Sequence, residues 1–285
     1  GGNAVSVIEK NPYILIDDLP EVGFKTADKI GKTIGILYDD SSRVYAGVIH
    51  TLKMALQSGH VYLPYEILVN EAANVLQIDS KKVESALDEM DILCKIIIRI
   101  DDNNNKIVYL NYMFYSEEFI AKKLIEIGSY NYNIDEKNLN LCIEQFSKFS
   151  GYELDENQIA AVRQAGENGL TIITGGPGTG KTSIIRALVH FFTSCKKKCL
   201  LAAPTGRAAK RMTESCGVQA KTIHRMLEFS GDESDDDSKL IFKRDEENPL
   251  DADAVIIDEI SMVDTHLMYH LLKAMPHQVQ LILVG

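Results

Sequence analysis

Gly175-Gly176-Pro177-Gly178-Thr179-Gly180-Lys181-Thr182 follows the spacing G-x-x-x-x-G-K-[ST], and each residue type in it has a task in holding phosphate. Glycine-rich backbone can curl so that its N–H groups point at phosphate oxygens, and a helix starting there adds the positive end of its dipole. The Lys181 ammonium would reach the β and γ phosphates, while the Thr182 hydroxyl would hold Mg²⁺. The nucleotide-touching set is therefore expected to be Gly175, Gly176, Pro177, Gly178, Thr179, Gly180, Lys181, Thr182 and Ser183.

A second group of residues supplies the complementary chemistry. Val255-Ile256-Ile257-Asp258-Glu259 is an apolar run that ends in two acids. Asp258 at the strand end would hold Mg²⁺ through its hydration shell, and Glu259 would polarise an attacking water as general base. Lys181, Asp258 and Glu259 are thus the catalytic candidates, and Thr182 and Asp258 the Mg²⁺ ligands. Together they imply triphosphate hydrolysis. Gln158 lies just before the loop's own strand and carries one amide donor and one acceptor, which suits the adenine edge. No N-K-x-D guanine motif occurs in the 285 residues, so ATP with Mg²⁺ is the expected cofactor pair.

These residues need a particular scaffold. Leu170 to Thr174 is a short β-branched run that reads as a buried strand, and Ser183 to Phe192 carries apolar residues at helical spacing. Further apolar runs at Cys199–Ala203, Ala254–Ile257 and Val279–Val284 alternate with helical segments. That alternation implies a parallel α/β sheet with helices on both faces and phosphate bound beyond the carboxyl ends of its strands. Residues 136–285 are the expected P-loop lobe, with an acidic flexible loop at about 230–248 that contains Asp232 to Asp237 and Asp245-Glu246-Glu247.

Residues 1–135 form the expected upstream domain, ending near the polar stretch Tyr130–Lys137. It reads as mainly α. A helix from about Ser42 to Ser58, capped by Ser41 or Ser42, precedes one opened by Pro64 and another capped by Asp79 or Ser80. Cys94–Ile100 and Lys106–Leu110 then alternate like two strands around Asp101 to Asn105. Three helices and a β-hairpin is the order of a winged-helix module. Glu84, Asp88, Glu89 and Asp91 on the third helix would repel phosphate, which favours a structural or partner-binding role. Before it, Leu19-Pro20-Glu21-Val22-Gly23-Phe24-Lys25-Thr26-Ala27 reads as a helix-hairpin-helix whose backbone N–H groups could meet one DNA phosphate. Gly23 and Lys25 would make that contact. Glu21 replaces the hairpin's first glycine, so a purely structural hairpin stays open as the alternative.

The chain carries a net charge of −11, which argues against gripping nucleic acid with the whole surface. Basic residues gather instead at Lys196-Lys197-Lys198 and at Arg207, Lys210 and Arg211. No apolar run approaches the roughly 20 residues of a membrane helix, and no secretory signal opens the chain. Cys94, Cys142, Cys195, Cys199 and Cys216 form no C-x-x-C pair and read as isolated thiols of a reducing compartment, the cytoplasm. The start at Gly1 and the finish in a strand-like run at Gly285 read as a piece of a longer protein.

Ala202-Ala203-Pro204-Thr205-Gly206-Arg207-Ala208-Ala209-Lys210-Arg211-Met212 puts a basic helix start after a strand, which suits a nucleic-acid backbone. With Thr222-Ile223-His224-Arg225-Met226-Leu227 and Asp258-Glu259-Ile260-Ser261-Met262-Val263-Asp264, it resembles the motifs of superfamily 1 DNA helicases of the RecD/TraA type. Gln158 matches the Q motif of that family, and Gly175 to Thr182 its motif I. Asn11-Pro12-Tyr13 and Gly23 to Asp28 resemble its helix-hairpin-helix region. The resemblance implies a RecA-like first lobe, an ATP-dependent motor moving 5′ to 3′ on single-stranded DNA in repair or recombination, and repair proteins as further partners. It implies strand contacts at Thr205, Arg207 and His224, with helix capping or packing as their alternative roles. It also places arginines against the γ-phosphate in a second lobe, so residues 1–285 alone are expected to turn over slowly. An ATPase switch or loader, or a helicase-like subunit acting through partners, are the competing readings.

Overall fold

The structure is a computed structural model describing residues 2–19, 21–176, 178–230 and 241–285, without the side chains of residues 2–4 and 17. It divides into two compact units, one within residues 1–116 and one within residues 117–285. The division falls inside helix α7 (Asn111–Gly128), upstream of the polar Tyr130–Lys137 stretch where the composition changes. Pro20, Pro177 and residues 231–240, which include the acidic run Asp232–Asp237, lie outside the described residues.

The first unit contains α1 (Gly2–Lys10), a 3-10 turn at Pro12–Ile14, α2 (Leu15–Asp18), α3 (Phe24–Ile34) and α4 (Ser41–Gln57). The cap of α4 is Asp40, whose carboxylate accepts from the Ser42 N–H at 2.9 Å. This corrects the serine cap expected at Ser41 or Ser42: an anionic acceptor one residue earlier reaches the first-turn donors and complements the helix dipole. β1 (Tyr62–Pro64), α5 (Tyr65–Leu76), α6 (Ser80–Ile92), β2 (Ile96–Ile100) and β3 (Lys106–Leu110) follow. The strands form an antiparallel sheet in the order β1-β3-β2. The winged-helix-like order therefore holds, with β1 as an extra strand too short to show a pattern of its own. Two acids of α6 are used internally. Glu89 accepts from the Tyr45 hydroxyl and Asp91 from the Ile98 N–H at 2.9 Å.

A polar knot holds the helical hairpin to α4. The Asp28 carboxylate accepts from Arg43 Nε at 2.7 Å and from the Tyr13 hydroxyl at 3.0 Å, and pairs with Lys32 at 2.9 Å. Arg43 Nη1 donates to the carbonyls of Tyr38 at 2.7 Å and Leu76 at 2.9 Å. Arg43 is 2% exposed, yet its fork is matched by acceptors, which is the condition for burying a guanidinium. Burial alone would raise the Asp28 carboxyl, but the hydrogen bonds from Arg43, Lys32 and Tyr13 outweigh it and hold the group below its ordinary value. Gly47 lets α4 and α5 approach closely: a Cβ there would lie 2.5 Å from Leu76 Cδ2.

The second unit carries α8 (Glu136–Ser150), α9 (Glu156–Glu167), β4 (Leu170–Ile173), α10 (Lys181–Ser194), β5 (Cys199–Ala203), α11 (Gly206–Cys216), β6 (Ala220–Thr222), α12 (Ile223–Met226), β7 (Ala254–Ile257), α13 (Thr265–Lys273) and β8 (Gln280–Val284). All its strand pairs are parallel, in the order β4-β8-β7-β5-β6. Apolar clusters cover both faces, one built around α10 and the other around α13. Buried Gln280 on β8 donates to the carbonyls of Ala165 at 2.7 Å and Gly166 at 2.9 Å, closing the end of α9 against the sheet.

Two expectations about this unit need correction. β4 is not a fully buried strand: among the described residues it pairs only with β8, and Ile172 is 61% exposed at this sheet edge. Residues 241–248 are not free surface chain either. Phe242 is buried beside Phe229, and Arg244 pairs with Glu228 at 2.6 Å, so one aromatic anchor and one ion pair return the segment to the lobe.

Candidate nucleotide site and strand-facing residues

The glycine loop lies between the carboxyl end of β4 and the start of α10. Gly180 is the residue before α10 and has φ +83°, a left-handed conformation that glycine adopts without penalty. A Cβ there would also lie 2.2 Å from Gln158 Nε2. Two independent demands thus meet at one glycine. Lys181 folds back over the loop, donating to the carbonyl of Gly175 and, at 3.0 Å, to that of Gly176. Thr179 Oγ1 donates to the same Gly176 carbonyl at 2.9 Å. Gly175, Gly176, Gly178 and Thr179 thus line a loop stiffened by its own contacts, with Thr182 exposed and Ser183 half-buried in the first turn of α10. An open cleft of about 560 Å³ beside the loop is lined by Asn157, Gln158, Thr174, Gly175, Thr179 and Lys181, among others.

Gln158 is 3% exposed. Its Oε1 accepts from the Asp155 N–H at 3.1 Å and the Tyr152 hydroxyl at 3.2 Å, and its Nε2 faces the Thr179 carbonyl at 3.5 Å. The first of these completes a reciprocal capping box at the start of α9. Both ends of the amide expected to pair with adenine are therefore engaged by protein groups, and pairing with a base requires that they exchange. Tyr152, 43% exposed and bonded to Gln158, is a site neighbour that sequence reasoning missed. A lone tyrosine in a polar turn carries no local signal.

Asp258 stands just past the end of β7, its N–H donating to the Ala202 carbonyl at 3.0 Å. Its carboxylate accepts from the Glu259 N–H at 3.0 Å. Burial pushes the Asp258 carboxyl above its ordinary value. The hydrogen bond from the Glu259 N–H opposes that shift, the Glu259 charge adds to it, and the charges of Arg211 and Lys181 oppose it. Asp258 and Glu259 follow β7 and the glycine loop follows β4, so both stand beyond the carboxyl ends of strands in one parallel sheet. A dication there would favour the ionised form, so the donor set fits Mg²⁺. Glu259 has φ +56°, a conformation uncommon for a residue with a side chain, and it accepts from Arg211 Nη2 at 3.3 Å.

The residues expected on a nucleic-acid strand fall into different settings. Thr205 caps α11, its Oγ1 accepting from the Ala208 N–H at 3.2 Å. Arg207 is exposed in the first turn of the helix. His224 packs beside Phe229 and Phe242, with ring centres 6.0 Å from each. Gly23 and Lys25 are exposed at the start of α3 in the first unit, where Gly23 precedes the helix in an extended conformation. The reading of the histidines as scattered without H-x-x-x-H spacing needs correction, because His266 and His270 stand four apart on α13 with Nε2 atoms 3.3 Å apart. The spacing H-x-x-x-H was the signal. Burial pushes His270 down to about 4, with the charges of His266 and Lys273 adding to the shift. No cluster of three or more metal-binding side chains occurs among the described residues.

Fold and loop define a class: an α/β lobe with a P-loop on a parallel sheet, preceded by a mainly helical unit. The comparisons sharpen it. An AAA-domain family model matches residues 158–285, and the helix-hairpin-helix domain model of the ATP-dependent RecD2 DNA helicases matches residues 1–62. The ATP-dependent RecD2 DNA helicase of Deinococcus radiodurans is 26% identical over 298 residues, covering 100% of this chain and 39% of that protein. The RecBCD enzyme subunit RecD of Mycolicibacterium smegmatis is 36% identical over 153 residues, covering 46% of this chain and 27% of that protein. The RecBCD enzyme subunit RecD of Buchnera aphidicola (subsp. Schizaphis graminum) is 28% identical over 267 residues, covering 80% of this chain and 42% of that protein. The chain is similar to RecD and RecD2 proteins and spans less than half the length of these relatives.

Proposed function

We propose that the protein containing this chain is an ATP-dependent DNA helicase of repair or recombination, moving 5′ to 3′ on single-stranded DNA. ATP with Mg²⁺ would sit on residues 175–183 and Asp258, with Lys181 on the β and γ phosphates and Thr182 on the metal. Glu259 would polarise the attacking water. Gln158 would sense the base by exchanging its present partners for the adenine edge, and Thr205, Arg207 and His224, with Gly23 and Lys25, would contact or couple to the strand. The observation that carries the reading is one parallel sheet that places the glycine loop with Lys181 after β4 and Asp258-Glu259 after β7, with the basic start of α11 after β5, the strand next to β7. No helix among the described residues is long and apolar enough to cross a membrane, which suits a cytoplasmic enzyme. Residues 1–285 alone would turn over slowly, because the γ-phosphate arginines of the resembled family come from a second lobe.

Strand displacement by the intact protein, on duplexes with 5′ or 3′ single-stranded tails, tests this. ATP-dependent separation of the 5′-tailed duplex alone is the expected outcome. Separation of neither substrate would overturn the motor and favour an ATP-controlled switch. Relatives named as RecBCD subunits support a narrower form in which partner proteins are required. Co-purification from the source cells, with activity regained on adding the partner, would mark that form.

A further inference from the structure

The ion pair between Arg211 and Glu259 joins residues 48 apart in the chain, from the helix after β5 to the turn after β7. Arg207, Lys210 and Arg211 stand at helical spacing on the exposed side of α11, while Ala208, Ala209 and Met212 are buried on the other. Arg211 thus belongs to a cationic face open to solvent, and at the same time its guanidinium holds the carboxylate assigned to water activation. The Glu259 backbone is itself in a left-handed conformation, so its side chain leaves the chain in an unusual direction, toward α11. A guanidinium on one oxygen draws the carboxylate toward α11 and lowers its basicity toward a water. The pair is also exchangeable, since the two side chains are 63% and 39% exposed. A phosphodiester offers Arg211 the same planar, bidentate acceptor geometry as a carboxylate.

We propose that Arg211 is a positioning residue that latches Glu259 in the absence of DNA and releases it when a single-stranded DNA phosphate takes the guanidinium. This rests on the reading of Glu259 as general base and of α11 as a strand-facing helix. Lys210, paired with Glu214 at 3.9 Å, and Arg207 would supply the electrostatic attraction that brings the backbone to the same face. The latch is weak by design of its exposure, so it sets a basal rate and does not abolish turnover.

The test compares Arg211→Ala and Arg211→Lys with the unaltered intact protein in steady-state ATP hydrolysis, with and without oligo-dT. Without DNA, Arg211→Ala should raise kcat roughly two- to fivefold, the range an exposed ion pair spans, at unchanged KM for ATP. The ratio of DNA-stimulated to basal rate should fall accordingly. Arg211→Lys, which keeps the charge and loses the fork, should fall between the two. Raising salt should increase the basal rate of the unaltered protein and leave that of Arg211→Ala flat, a response that loss of folding does not imitate. A basal kcat in Arg211→Ala equal to or below that of the unaltered protein would overturn the latch, as would an identical salt response. Undiminished DNA stimulation in Arg211→Ala would overturn the release by DNA alone, whereas absence of any stimulation in the unaltered protein would count against both that release and the motor reading.

Discussion

The two units are held and specialised in opposite ways. In the P-loop lobe, most residues proposed for chemistry sit in short contiguous motifs at the ends of strands, and the scaffold is an apolar parallel sheet. In the N-terminal unit, the most heavily bonded polar group is buried and structural. Arg43 and Asp28, 15 residues apart, tie the helical hairpin to α4 with Tyr13, Lys32 and two carbonyls. In the lobe, Thr182 and Arg207 are exposed and the Arg211–Glu259 pair is exchangeable, whereas the polar groups of the hairpin knot are consumed by each other. A charged residue therefore points to function only when its partners are missing or exchangeable, and its type alone does not separate the two cases.

Substitutions should divide along the same line. The largest effect is expected for Lys181→Ala, which removes the loop's cation. ATP turnover by the intact protein should drop roughly 100- to 1,000-fold, the cost of losing one preorganised charge-stabilising donor. Hydrogen exchange in α3 and α4 should not change. Arg43→Ala should do the reverse. It leaves Asp28 buried without its main partner, so the local stability read from exchange of α3 and α4 amides should fall by about 3 kcal/mol, with nucleotide affinity of the lobe intact. Gly47→Val should cost about 2 kcal/mol by the same measurement, because the new side chain meets Leu76 and must displace it. The smallest effect is a pH dependence. Because the folded Asp28 carboxyl lies below its ordinary value, its contribution is fully present above about pH 4 and is lost as pH falls through the lower folded value. Exchange in α3 should accelerate over that acid range in the unaltered protein and show no such added step in Arg43→Ala. Equal losses in both units from either Lys181→Ala or Arg43→Ala would erase the contrast.

The lobe was largely legible in the sequence because its signals are local. A glycine loop between a strand and a helix, and two acids closing an apolar strand, each fit within ten residues. The order of three helices and a hairpin was legible for the same reason, and of the two caps expected for α6, Asp79 or Ser80, the cap is Asp79. What escaped depends on contacts across the chain or on which faces the fold covers. β4 reads as a buried strand by composition, and only the sheet order makes it an edge. Gln158 reads as a free amide, and only the fold brings the Thr179 carbonyl and Tyr152 hydroxyl to it. Phe242 lies in a polar stretch whose composition says loop, yet one aromatic side chain finding Phe229 and His270 is enough to anchor it. The Arg43–Asp28 and Arg211–Glu259 pairs have no sequence signature, since two opposite charges far apart in a chain can meet or not.

The central claim is that Asp258 and Glu259 complete a hydrolytic ATP site on the P-loop, with Glu259 activating the water. Glu259→Gln in the intact protein tests it most directly, because it keeps the side-chain volume and removes the base. The measurement is parallel ATP binding and single-turnover hydrolysis in the presence of Mg²⁺ and single-stranded DNA. ATP should bind about as tightly as to the unaltered protein and be turned over at least roughly 100-fold more slowly, the low end of general-base contributions. Hydrolysis at the unaltered rate would contradict it.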